Sequence, residues 1–341
     1  MTNALLESPP QGGGRSMTEL CIDALPCLTS DIERVQRRLT ATCTIPGRPD
    51  LTEIIAHLVD DVPKLVRPTL TLMAAYIGAD PTRPVTDEVI DAAVAGEHVH
   101  IGTMVHDDVM DEADSRRGRP SVHMRWGNTM AILSGDYHLS TAADLSYSFA
   151  REPRRVLAKT LLALSSGQMT ETADLFDRGR TVERYLEAIT GKTATLLSTA
   201  CRVGSILVGA PDSIVAALGT FGLEFGIAFQ IHDDVLDLVR SSEELGKPAG
   251  NDMREGVYTL PTILTISRRP QIRELLTRDM SSADLTAARE LIVQSGALAD
   301  AIEYGRDRFR RAIDALDSST DRAPHIGALI DFASGMLFEF S

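Results

Sequence analysis

Aromatic side chains are scarce in this sequence, at 5% of 341 residues with a single Trp. Ala, Leu, Arg and Asp dominate instead, and that balance disfavours a sheet protein and favours helices. Positive charge is also short: 34 Lys and Arg face 48 Asp and Glu, for a net charge of -14. A general nucleic-acid binder needs a basic face, so that class is excluded. Cysteine is rare; Cys21, Cys27, Cys43 and Cys201 form no CxxC pair, and no histidine cluster sits at zinc spacing along the chain. This excludes a disulfide scaffold and implies a reducing, cytoplasmic setting. No uninterrupted apolar run of about 18 residues is visible, so no transmembrane helix is expected. The N-terminus has neither a basic start nor an apolar stretch, so no secretory signal is expected.

What remains is an ordinary globular composition, 43% hydrophobic and 24% charged. Residues 1–16 contain Pro9-Pro10 and Gly12-Gly13-Gly14 and read as a disordered tail. No linker rich in Gly, Ser or Pro divides the chain after residue 50, so residues 17–341 read as one all-α domain. Apolar and small residues recur at helical spacing over 85–110, 127–150, 155–177, 181–209 and 212–240. Breaks fall at Pro46-Gly47, Pro81, Gly118-Arg119-Pro120, Gly209-Ala210-Pro211 and Gly246-Lys247-Pro248. The part from residue 271 onward reads as three or more helices ending in an apolar stretch.

One short pattern occurs twice. His106-Asp107-Asp108-Val109-Met110-Asp111 is echoed by His232-Asp233-Asp234-Val235-Leu236-Asp237. On a helix, the first and last aspartates of each cluster share a face. Like charges at that spacing weaken the helix by a few tenths of a kcal/mol, and burying them among apolar neighbours costs far more. A cation relieves both penalties. An all-oxygen donor set suits Mg²⁺, which typically completes its shell with water and substrate phosphate. A phosphate-bearing substrate is therefore expected.

Such a substrate needs cations. Arg116 and Arg117 follow the first cluster by one to two helical turns, and arginine forks match phosphate oxygens. Lys64 and Arg67 precede an apolar helix. His100 lies nearly in line with Asp107. Lys192-Thr193 follows Gly191 in an apolar segment, Gln230 precedes the second cluster, and Lys247 sits in a Gly-Lys-Pro turn. Taken singly, each has a bland reading as a solvated or capping side chain.

In order, they resemble the trans-type prenyl diphosphate synthases, or polyprenyl synthetases, over roughly residues 50 to 265. The motifs are Glu97-His98-Val99-His100, Asp107 to Asp111 followed by Arg116-Arg117-Gly118-Arg119-Pro120, Gly191-Lys192-Thr193, Phe229 to Asp237, and Gly246 to Asp252. The resemblance implies the isoprenoid synthase fold, a single bundle of about ten or more helices around a central cavity. It implies head-to-tail condensation of isopentenyl diphosphate with an allylic diphosphate, and a homodimer. It implies that Asp107, Asp111 and Asp233, supported by Asp108, Asp234 and Asp237, hold Mg²⁺, as three ions with substrate bound. Arg116, Lys192 and Lys247 would hold the allylic diphosphate. Lys64, Arg67, His100 and Arg117 would hold isopentenyl diphosphate. Lys192, Thr193 and Gln230 would present dipoles to the allylic cation.

Some positions depart from the family pattern. Val62-Pro63-Lys64-Leu65-Val66-Arg67-Pro68 lacks the usual glycines and middle arginine, and Val257 stands where a lysine is usual. In this family, bulky residues four and five positions before the first aspartate stop chain growth. Here those residues are Thr103 and Gly102, with Val99 one turn deeper. A product longer than farnesyl diphosphate is expected, geranylgeranyl or longer, and Gly102→Phe is expected to shorten it. Two alternatives stay open: a specialised subunit of a heteromeric synthase, and a terpene cyclase of the same superfamily.

Overall fold

The structure is a computed structural model that describes residues 25–59, 65–80, 82–116, 118–239, 250–317 and 323–338. Lys64, Arg117, Lys247 and the 1–16 tail lie outside the described residues.

The architecture is all-α, as the composition dictates. Helices α1 (Leu28–Thr42), α2 (Pro49–Ala56), α3 (Val66–Gly78) and α4 (Asp87–Met110) lead to a two-residue hairpin, β1 (Ser115–Arg116) and β2 (Arg119–Pro120). Next come α5 (Val122–Trp126), α6 (Asn128–Ser146), α7 (Arg151–Ala173) and α8 (Val182–Ile189). A π-helical turn, Thr190–Ala194, joins α8 to α9 (Thr195–Leu207), and α10 (Asp212–Val239) follows. The remainder comprises α11 (Asn251–Glu255), α12 (Leu260–Arg268), a 3-10 turn (Pro270–Glu274), α13 (Ser282–Ser295), α14 (Ala297–Asp317) and α15 (Ala323–Phe338).

Local chemistry explains several boundaries. Thr86 caps α4 by accepting the Val89 N–H, with Asp87 and Glu88 favouring the positive end of the helix dipole. Ser281 and Asp284 form a reciprocal capping box on α13. Helix α7 begins at Arg151, four residues earlier than the spacing predicts, because Pro153 is tolerated in a first helical turn. The larger correction concerns α4. It stops at Met110, where its apolar spacing ends, but the arginines expected one to two helical turns further on do not extend the helix: Glu112 takes a left-handed φ of 50°, and the hairpin carrying Arg116 reverses the chain.

Helices α4 and α6 pack along their length, as do α10 with α14 and α9 with both α3 and α10. The main core is aliphatic, with fully buried Leu70, Leu72, Met73, Val99, Ile101, Phe221 and Phe225. A second core joins α8, α10, α12 and α13 through Tyr185, Ile231, Ile263 and Ile292. Fully buried Asp31 is stabilised by the Tyr76 hydroxyl, the Val85 N–H at 3.0 Å and Arg34 at 2.6 Å, which ties α1 to α3 and to the start of α4. By length and composition alone, α10 is long and apolar enough to cross a membrane, although Glu224 interrupts its apolar sequence. It packs against α9 and α14, with half of its most apolar window buried, and serves as a core helix of the bundle.

Candidate active site

Both aspartate clusters lie at the C-terminal ends of helices, on α4 and α10. Helix carbonyls and carboxylates therefore place negative charge on negative charge. Neither end would be stable in a low-dielectric setting without cations.

Within the first cluster the aspartates divide. Asp108 is fully buried, and its Oδ1 accepts from Arg116 Nε at 2.8 Å and from an Arg116 terminal nitrogen at 2.6 Å. The hairpin is what returns Arg116 to the helix end. Asp107 faces the opposite way, into a cavity that Lys192 also lines. Burial pushes the Asp107 carboxyl up to about 6, against the pull of Lys192, while Asp111 and Glu171 push it further up.

Lys192 sits on the π-helical turn. Its Nζ bonds Glu171 Oε1 on α7 at 2.5 Å. Burial opposes its charge, but Glu171, Asp107 and Asp111 together raise the ammonium above its ordinary range. The turn itself rests on close backbone contact. A Cβ on Gly191 would lie 2.8 Å from the Ala163 carbonyl oxygen and 2.8 Å from Gly167 Cα. Only glycines at both positions let α7 and the π turn touch. Widened turns of this kind concentrate at functional sites, because the extra residue re-aims side chains.

Thr193, the next residue, faces the second cluster. Its hydroxyl donates to Gln230 Oε1 at 2.7 Å, and Gln230 Nε2 donates to Asp234 Oδ1 at 2.8 Å. The Tyr185 hydroxyl donates to Asp234 Oδ2 at 2.6 Å. Burial pushes the Asp234 carboxyl up, and these two hydrogen bonds pull it part of the way back. Asp237 is also buried and accepts from the Asp252 N–H at 3.4 Å, while Asp233 is exposed. Glu171 acts electrostatically on both Asp107 and Asp234. The two clusters thus converge across the Lys192-Thr193 turn.

Below the clusters lies a cavity of about 590 Å³ between α4, α6 and α7. Asp107 and Lys192 line it, and so do Thr103, Leu139, Leu161 and Leu164. Thr103 is one helical turn back from Asp107, so the polar and apolar parts succeed each other along α4. Of the three positions expected to set product length, Thr103 lines the cavity and Val99 is fully buried in the core. Gly102 faces α6: a Cβ there would stand 3.0 Å from both the Gly135 carbonyl oxygen and Leu139 Cγ. Arg67 and His100 are both half-buried, on α3 and α4, and Arg67 borders a small cleft with Gly96 and Thr199. Val257 is half-buried between α11 and α12.

Three residues escaped the sequence reading: Glu171, Tyr185 and Gln168, the last of which lines the cavity beside Lys192. The polar run Ser165-Ser166-Gly167-Gln168 interrupting an apolar helix was the available signal for the first and last. Tyr185 lies seven residues before Lys192, a spacing that alone carries little weight.

The donor chemistry fits a hard divalent cation. Half-buried Asp107 and neighbouring Asp111 offer carboxylate oxygens, and burial already strains the charge on Asp107.

Residues 48–292 match the family model described as Polyprenyl synthetase. Nonaprenyl diphosphate synthase of Mycobacterium tuberculosis is 36% identical over 270 residues, covering 73% of this chain and 79% of that protein. Heptaprenyl diphosphate synthase component 2 of Geobacillus stearothermophilus is 33% identical, covering 91% and 93%. A solved polyprenyl synthase of Caulobacter crescentus, complexed with calcium and isoprenyl diphosphate, superposes with a TM-score of 0.87 at 30% identity, covering 97% and 100%. The chain belongs to the polyprenyl synthetase family, whose members are prenyltransferases.

Proposed function

We propose that this protein joins isopentenyl diphosphate head-to-tail to an allylic diphosphate, releasing pyrophosphate and a longer all-trans prenyl diphosphate of C20 or more. The observation that carries this reading is the convergence of two carboxylate clusters on Lys192-Thr193 beside an apolar cavity of about 590 Å³. Cavities of roughly 300–1,000 Å³ hold ligands of this size. Asp107, Asp111 and Asp233, with Asp108, Asp234 and Asp237 behind them, would hold Mg²⁺. When bound, Mg²⁺ supplies electrostatic stabilisation of the charge that develops on a departing diphosphate.

The chain's own residues do the rest. Arg116, Lys192 and Lys247 would hold the allylic diphosphate. Glu171 keeps the ammonium of Lys192 charged and aimed. Arg67, His100, Lys64 and Arg117 would bind isopentenyl diphosphate. The Thr193 hydroxyl and Gln230 amide orient dipoles toward the allylic carbon as positive charge grows there. Leu139, Leu161 and Leu164 keep water from the cation and receive the growing tail. The working enzyme is proposed to be a cytoplasmic homodimer.

The test is one assay. Purified protein is mixed with Mg²⁺, isopentenyl diphosphate and each allylic diphosphate of five to twenty carbons. A longer prenyl diphosphate is expected. No product with any primer would favour a subunit that needs a partner, and a released hydrocarbon would favour a cyclase.

A further inference from the structure

Beneath the active site, α1, α4 and α6 bring three metal-ligating side chains together. The candidate ligand atoms of Cys43, His98 and His138 all lie within 4.8 Å of one another, and all three residues are buried. They are far apart in sequence, so no motif advertises them. Their hydrogen bonds show which ring nitrogens converge. His138 Nε2 faces the Ile55 carbonyl oxygen at 3.1 Å, which can only accept. That nitrogen therefore carries the proton, and Nδ1 presents a lone pair. His138 Nδ1 lies 2.8 Å from His98 Nδ1. His98 Nε2 lies 2.8 Å from the Thr42 hydroxyl, which is also 2.9 Å from the Leu39 carbonyl oxygen. Without a metal, the 2.8 Å Nδ1 pair is an N–H···N hydrogen bond, with Thr42 donating to His98 Nε2; the other His98 tautomer, with Nε2–H donating to Thr42, turns both Nδ1 lone pairs toward a shared ion. Protonation competes poorly for those lone pairs, because burial holds both imidazoles well below their ordinary value. A metal ion satisfies both nitrogens.

We propose that Cys43, His98 and His138 form a site for a d¹⁰ transition-metal ion, Zn²⁺ or Cu⁺, that clasps α1, α4 and α6 together. One thiolate and two imidazoles form a soft to borderline donor set, which excludes Mg²⁺ and suits these ions. Bonds of about 2.0–2.3 Å at tetrahedral angles need ligand separations of roughly 3.3–3.7 Å, within reach of small side-chain shifts. A thiolate with two neutral rings leaves Cu⁺ uncharged overall, while Zn²⁺ keeps one positive charge. The ring contacts to Ile55 and Thr42 are the outer hydrogen bonds that orient metal-bound histidines. The competing arrangement has Thr42 donating to His98, and His98 Nδ1–H donating to His138, with no metal at all.

The experiment uses the full chain, stripped with chelator and held in excess Mg²⁺ to saturate the carboxylates. Zn²⁺ and, anaerobically, Cu⁺ are titrated separately, with Co²⁺ as a spectroscopic probe. About one equivalent is expected per chain, with sulfur-to-cobalt charge transfer and a rise in melting temperature on loading. The ion that binds more tightly identifies the resident metal. Cys43→Ser should abolish the charge-transfer band, and a His98→Leu/His138→Leu double variant should lose the equivalent. No thiolate-bound metal in the wild type, or equal charge transfer in wild type and Cys43→Ser, overturns the site. The wild-type cobalt spectrum decides the question even where a variant does not fold.

Discussion

Replacing Thr103 with Phe should shorten the product. Thr103 lines the cavity one turn back from Asp107, and its hydroxyl contacts only Val99 and His100 carbonyls of its own helix, at 3.1 and 3.0 Å. Losing such a contact costs about 0.5–1.5 kcal/mol, and burying a ring in apolar space returns a similar amount. For a protein of this size, about 1 kcal/mol moves Tm by roughly 1–2 °C, so the variant should melt within a few degrees of wild type. The ring would block the cavity beside Leu139, Leu161 and Leu164. One helical turn rises about 5.4 Å, close to the length of a five-carbon unit. A plug at Thr103 should therefore stop growth about one unit earlier than a wall formed one turn deeper, near Val99.

Gly102→Phe is the informative control. Its first carbon would already stand 3.0 Å from the Gly135 carbonyl oxygen, so the larger side chain must pry α4 from α6. Overpacking of this kind costs about 1–3 kcal/mol or more. Its principal effect should be lost stability, not the clean shortening expected from sequence. The assay is product length by mass spectrometry with thermal melts run alongside. An unchanged product from a folded Thr103→Phe enzyme would refute the tunnel assignment.

Three further outcomes are expected. Lys192→Met should lower kcat/KM for the allylic substrate by about 10²–10³-fold, by analogy with loss of one aimed donor, while circular dichroism stays unchanged. Tyr185→Phe removes a hydroxyl from buried Asp234 and should cost about 1–3 kcal/mol in urea unfolding, with a raised Mg²⁺ requirement. Equal stability would show that Asp234 finds another donor. Gly191→Ala drives a methyl to 2.8 Å from the Ala163 carbonyl oxygen and should destabilise by about 1–3 kcal/mol; a neutral effect would mean that α7 yields.

The sequence by itself determined the helices and the chemistry available to them. Helical spacing located α4, α6, α7 and α10, because a long apolar period leaves few alternatives, but it ran α8, the π turn and α9 together as one stretch over 181–209. The twin aspartate runs announced metal and phosphate, because buried carboxylates have few stable states without cations. Lys192, Thr193 and Gln230 entered as candidates through family resemblance, not through spacing, and their roles are proposals. Tertiary structure alone decided which side chains meet. It turned Arg116 back onto Asp108 through a hairpin where helix was expected, and it set Glu171 beside Lys192. It turned Gly102 toward α6 and left Thr103 to line the cavity. It also gathered Cys43, His98 and His138 from three separate helices. The physical reason is common to these cases. Periodicity fixes a residue's face on its own helix, but the partner across that face depends on how closely two backbones approach. That approach is set by glycine contacts such as Gly167 with Gly191, which can be judged only once both helices are in place.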